Sequence, residues 1–225
     1  MNKKRIPLIL STLAIIYVAF IYLDFSNSKL YEATSLLKFS SITLVLLLSF
    51  LASKNAYNEK DIRLLKYALS LTLIADFFLL FVKKYYLVGV IIFSIVQTIH
   101  SVRYRQSNSR LFEKNMFLAF LGFTIAAFIL KIFADIEYLM TFSVFYAITL
   151  TLSVFNAINA CIKKSYPMPN RHMIAFGMIL FLLCDVNVGL FNLTVVSSNL
   201  IWVFYLPSQV LLALSGFKYN QSDSI

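Results

Sequence analysis

The sequence predicts an all-α polytopic membrane protein, a single domain over residues 1–225 with eight transmembrane helices and both termini in the cytoplasm. Three observations carry this. Of the 225 residues, 60% are hydrophobic and 13% charged, against about half and a quarter in a soluble domain, and mean hydropathy is +0.80. The apolar residues gather into eight runs, each long enough to cross a hydrocarbon core of ~30 Å at ~1.5 Å per residue. Most of the Lys and Arg residues fall in alternate loops between those runs.

The runs, in order, are 6–23, 33–52, 64–82, 86–104, 115–133, 139–161, 172–191 and 198–216. The first follows Lys3, Lys4 and Arg5, and no small-x-small cleavage motif comes after it, so it reads as a retained helix. The second carries Lys38. The third contains Asp76 in LTLIADFFLLF, and the fourth ends in His100, Arg103 and Tyr104. The fifth and sixth contain no acidic residue. The seventh contains Asp185 in ILFLLCDVNVGLF, and the eighth holds Tyr205, Pro207 and Gln209. Most joining loops are short, which makes consecutive helices antiparallel neighbours. The alternating polarity of a membrane barrel is absent, leaving a helix bundle as the way to satisfy the backbone in lipid.

Orientation follows from the cations. Lys3, Lys4, Arg5, Lys54, Lys60, Arg63, Lys66, Arg103, Arg105, Arg110, Lys114, Lys163, Lys164, Arg171 and Lys218 lie on one side, and Lys29, Lys83, Lys84 and Lys131 on the other. Positive loops stay inside, so the richer side is cytoplasmic. The expected location is the cell membrane, as a multi-pass protein, most naturally a bacterial cytoplasmic membrane. The net charge of +10 is thus accounted for by topology, and no nucleic-acid partner is expected. The partner is the lipid bilayer. Cys161 and Cys184 form no CxxC pair and do not suggest a disulfide framework.

The chemistry lies in the intramembrane charges. A carboxylate deep in a span costs roughly 2.5–3.5 kcal/mol on insertion scales, so it calls for a partner, a wet cavity or a reaction. With the topology above, Lys38, Asp76 and Asp185 all fall roughly 8–9 Å below the outer edge, on three different helices. Each taken alone fits an ordinary role: snorkelling for Lys38, a helix–helix contact for either aspartate. Their common depth points instead to one polar cavity, with Lys38 as counter-ion to the aspartates. Two carboxylates sharing one cation leave one ionised and the other more easily protonated. Tyr205 lies at a similar depth, and Gln97, His100 and Gln209 lie deeper.

Other chemistries find no support. No GxSxG, HExxH, P-loop or GxGxxG motif is present. The two histidines, His100 and His172, fall near the inner boundary, far in depth from the aspartates, so no metal site and no cofactor is expected. Ser40, Ser41 and Ser208 are poor nucleophile candidates, because serines in membrane helices usually bond to backbone carbonyls. Phe77, Phe78 and Phe81 read as packed or lipid-facing bulk, or as a lining for an acyl chain. Pro207 should free a carbonyl one turn earlier, near Val203 or Phe204. ADFFLLF and CDVNVGLF form a faint internal echo.

At these residues the chain resembles the YhhN family of lysoplasmalogenases, as a divergent member. The first motif is Ala75, Asp76, Phe77, Phe78 and Leu79, followed by Gly89, Phe93, His100 and Tyr104. The second is Gly177, Phe181, Cys184, Asp185 and Phe191, and the last helix carries Tyr205 and Gln209. Ala75 stands where Gly is usual and Cys184 where Ser is usual. Lys38 is followed by Phe39 and Ser40 in place of Pro and Leu.

The resemblance implies hydrolysis of the vinyl ether bond of a lysoplasmalogen, the lipid partner, to a fatty aldehyde and a glycerophospho-head group. Such a reaction needs an acid to protonate the double bond and a carboxylate to take a proton from water, without a metal. Asp76 and Asp185 are the expected catalytic pair. Lys38, Tyr205, Gln209, His100 and Tyr104 are the expected substrate-binding set. The alternatives from other classes are a small-molecule or lipid transporter and a non-enzymatic membrane scaffold. Buried charges also mark transport paths, but the chain is glycine-poor and its repeat is faint.

Overall fold

The computed structural model describes residues 5–26, 31–53, 56–105, 137–190 and 195–219, with the single positions 122, 125 and 129. Among them are seven α-helices: α1 (Arg5–Phe25), α2 (Tyr31–Ala52), α3 (Glu59–Leu80), α4 (Tyr86–Tyr104), α5 (Tyr138–Ile162), α6 (Asn170–Leu190) and α7 (Val195–Leu214). Among the described residues there is no β-strand, only a lone bridge between Ala56 and Phe217. The helices α1, α2, α4, α5 and α6 are long and apolar enough to cross a membrane. The expected span 115–133 falls almost wholly outside the described residues.

The α3 helix begins five residues before its apolar run. Asn58 caps it, its side chain accepting from the backbone N–H of Lys60 (2.8 Å) and Asp61 (3.2 Å), which satisfies two of the N–H groups a helix start leaves open. The cap carries the charged segment EKDIR into the helix. At the far end of α5, Lys164 adopts a left-handed backbone (φ 53°). There the N–H of Ser165 reaches the carbonyl of Ala160 and that of Lys164 the carbonyl of Cys161, closing the helix as a Schellman turn.

Consecutive helices pack against each other, and α7 also touches α1, α2 and α3, so the last helix closes the bundle. Two of these contacts depend on glycine. A Cβ on Gly89 in α4 would stand 3.3 Å from the Ala75 carbonyl of α3, and one on Gly177 in α6 would stand 3.3 Å from the Ser208 carbonyl of α7. Small residues let helix backbones approach where no hydrophobic effect drives them together.

Polarity is arranged as lipid demands. Leu8, Ile15, Val18, Tyr22, Ile95 and Phe176 are exposed, while Asp61, Asp76, Gln97, His100, Arg103 and Gln209 are buried. Water as the only solvent would favour the reverse. One end of the bundle is tied by an ion pair between Arg103 and Asp61. Arg103 donates through Nε and Nη2 to both oxygens of Asp61, at 2.9 Å each, and Nη2 also reaches Ser215 Oγ at 2.9 Å. The Tyr166 hydroxyl meets Asp61 Oδ1 at 2.8 Å. Burial, with the Asp61 carboxylate beside it, pushes the Tyr166 hydroxyl well above its ordinary pKa, so it stays a donor.

Candidate functional site

Asp76 sits on α3, one turn from its end, and is buried. The Tyr205 hydroxyl of α7 donates to its Oδ2 at 2.7 Å. Asp185 sits on α6, and the Tyr146 hydroxyl of α5 donates to its Oδ2 at 2.6 Å. Each carboxylate thus rests on a phenol from another helix, at a length typical of a hydroxyl on a charged acceptor. The two carboxylates are near enough for their charges to interact.

Aromatic rings form the wall between them. Phe93 of α4 meets Tyr146, Phe181 and Tyr205 with ring centres 6.1, 6.0 and 6.4 Å away. Phe181 and Tyr205 are 5.7 Å apart, nearly edge to face. Such pairs add rigidity beyond their buried area. The wall fixes both phenols, and each phenol fixes its carboxylate.

Lys38 departs from the expectation. Its Nζ donates to Asp24 Oδ1 at 3.0 Å and lies 2.8 Å from Oδ2, so its counter-ion is Asp24 at the end of α1, not Asp76 or Asp185. The reason is geometric: the last turn of α1 packs beside the first turns of α2. The pair is not remote from the aspartates. Lys38 Nζ stands 5.3 Å from the Trp202 ring centre, within cation–π range, and Trp202 packs edge-on against Tyr205 at 5.0 Å.

The remaining expected residues lie deeper. Gln209 is fully buried, and neither end of its amide has a hydrogen-bond partner. His100 and Tyr104 are stacked on each other, with Nδ1 and the hydroxyl 3.0 Å apart. They lie beside Arg103 rather than beside the aspartates, seven or more residues past Phe93, or about 10 Å along α4. Ser41 bonds back to the Lys38 carbonyl at 2.6 Å. Phe77 and Phe81 are exposed and ring-packed with Phe39, so they face outward and do not line the carboxylate site. Among the described residues no group of three or more His, Cys, Asp or Glu side chains is placed to hold a metal ion.

Two further residues belong to the site, Tyr146 and Asp24. Tyr146 lies about seven residues into its span, at the same depth as Asp185, and the depth argument extended to hydroxyls finds it. Asp24 lies one residue past the first apolar run, at the outer edge above Lys38, where the long lysine side chain reaches it.

Compared with known families, residues 33–216 match the model of the YhhN family. That stretch takes in both aspartates, both phenols and Lys38. No curated protein and no solved structure matches the chain.

Proposed function

The chain belongs to the YhhN family, and from that premise we propose that it is a membrane-embedded hydrolase that cleaves the vinyl ether bond of lysoplasmalogens. The observation that carries the reading is the Asp76–Tyr205 and Asp185–Tyr146 pairing, two carboxylates from separate helices, the first buried and the second partly so, facing one ring-walled centre.

The chemistry asks for little more. A carboxylic acid protonates the vinyl carbon, leaving an oxocarbenium ion at the ether carbon. The ionised partner stabilises that cation and takes a proton from the water that adds to it. The hemiacetal then collapses to a fatty aldehyde and the glycerol alcohol, and the proton balance closes. Two carboxylates close together favour one ionised and one protonated group at a time. Tyr205 and Tyr146 hold the two carboxylates at fixed angles. The Lys38–Asp24 pair, one ring from Tyr205, offers opposite charges to a zwitterionic head group, with Lys38 meeting the phosphate. In this reading the chain crosses a cell membrane eight times, with both termini cytoplasmic.

The test is aldehyde release from a lysoplasmalogen in detergent micelles. Asp76→Asn and Asp185→Asn should each lower the rate by about 10²–10⁴-fold while leaving the fold intact. Activity that survives both substitutions rules the mechanism out. Movement of a lipid only across sealed vesicles, with no bond cleaved, points to a carrier.

A further inference from the structure

Hydrolysis at this depth consumes water, and Asp76 is screened from solvent by protein while Asp185 is partly exposed. Along one side of the site the buried side chains keep hydrogen-bonding atoms that no protein atom meets. They are Thr72 Oγ1 on α3, Gln97 Nε2 and His100 Nε2 on α4, and Ser208 Oγ with both amide ends of Gln209 on α7. Arg103 Nη1 is a further one. Thr72, Gln97, His100, Ser208 and Gln209 are each 0% exposed.

These atoms are not scattered. Thr72 is one helical turn from Asp76, and Gln209 is one turn from Tyr205, which bonds Asp76. Both are displaced toward the same end of the bundle. The start of α3, the end of α4 and the end of α7 meet there, because Asp61, Arg103 and Ser215 are bonded together. On α4, Gln97 and then His100 lead from Phe93 toward Arg103. Gln97 accepts at Oε1 from Ser153 at 2.7 Å, and its Nε2 points toward the Tyr146 hydroxyl, which bonds Asp185, outside hydrogen-bond geometry. The three helices therefore carry open polar atoms from the carboxylates to Arg103, over about 15 Å of helix.

Buried polar atoms without protein partners are uncommon, and where several face one another the usual partner is bound water. A dry arrangement would leave each uncompensated in a low-dielectric interior. We propose that Thr72, Gln97, His100, Ser208 and Gln209 bind a file of waters between α3, α4 and α7, running from the Arg103 end of the bundle to Asp76 and Asp185. The file rests on the hydrolase reading only for its use, the supply of the attacking water and the exchange of protons away from the lipid side. Gln209 is its central station, since it offers a donor and an acceptor. His100 keeps one open ring nitrogen in either tautomer, because Tyr104 occupies the other.

The experiment compares the 225-residue chain in detergent with Gln209→Leu and Thr72→Val. The probe is millisecond hydroxyl-radical labelling by X-ray radiolysis of water, which oxidises buried side chains where water is held against them. Tyr205 and Tyr104, only 4% and 2% exposed, should be oxidised in the parent protein and less so in both variants. Thermal unfolding gives a second sign. Removing a group that holds water should lower Tm by about 2–4 °C or more, whereas removing an orphaned polar atom from a dry core should raise it. Oxidation of the two tyrosines no greater than that of fully buried Leu69, or a rise in Tm, overturns the file. If Gln209→Leu does not fold, Thr72→Val decides, since it deletes one hydroxyl at constant volume. Neither readout uses aldehyde release. A labelled but inactive protein therefore refutes only the hydrolase, and an active but unlabelled one refutes only the file.

Discussion

Asp76 and Asp185 are held alike, each by one tyrosine hydroxyl from a neighbouring helix, and that likeness makes the two phenols testable as positioning groups. A hydrogen bond to a charged acceptor contributes about 1.5–3 kcal/mol, so Tyr205→Phe and Tyr146→Phe should each slow aldehyde release about ten- to hundredfold. The aspartate substitutions should cost more, since they remove the reacting group itself. Equal losses for Tyr205→Phe and Asp76→Asn in the same assay would mean that the phenol, not the carboxylate, does the chemistry. Lys38 and Asp24 call for a different comparison, because their side chains are only 12% and 13% exposed. Removing one partner of such a pair strands the other, whereas removing both does not. Lys38→Met should therefore lower Tm by several degrees, and Lys38→Met with Asp24→Leu should recover most of it. Thermal melts of the four proteins in one detergent check this. The single substitution should also raise KM for a zwitterionic lysolipid if Lys38 meets its phosphate.

Pro207 bends this reasoning into the geometry of α7. A proline removes the N–H that would bond the carbonyl four residues back, and in α7 that carbonyl belongs to Val203. The structure gives it another donor: the Tyr17 hydroxyl reaches Val203 O at 3.0 Å from α1. The expected freed carbonyl is thus present, but it is taken up by Tyr17 and anchors α1. A double-mutant cycle follows from that exchange. Tyr17→Phe should destabilise the parent protein by about 1–2 kcal/mol, since it leaves a carbonyl unmet. In a Pro207→Ala background, where the helical N–H is restored, the same change should cost little. Unfolding midpoints that simply add across the cycle would show that Tyr17 and Pro207 are not coupled.

How much of this was legible in the chain depends on what each feature needs. The helices followed from apolar length alone, and their observed ends fall within a few residues of the runs except at α3, where Asn58 starts the helix early. The aspartates stood out because a charge in an apolar run is rare, whatever surrounds it. Their partners were hidden because a tyrosine or a helix-end aspartate is ordinary in sequence. Only the fold shows that Tyr146 faces Asp185 and that Asp24 faces Lys38. Arg103 was hidden for the opposite reason: it served the charge count so well that its pairing with Asp61 went unread. That same charge count yields the prediction for the molecule in its membrane. The bonded Asp61–Arg103–Ser215 end should be the cytoplasmic one, since the loops rich in Lys and Arg lie there. Lys60 near the start of α3 and Lys84 beyond its end are both exposed, on opposite sides of the bundle. In a background with Cys161 and Cys184 replaced by Ala, Lys84→Cys should react with a membrane-impermeant maleimide on intact cells, and Lys60→Cys only after permeabilisation. The reverse pattern would invert the orientation and place the Arg103 end in the external medium. Labelling of both on intact cells would mean that α3 does not cross the bilayer, and that Asp76 and Asp185 do not share one depth in it.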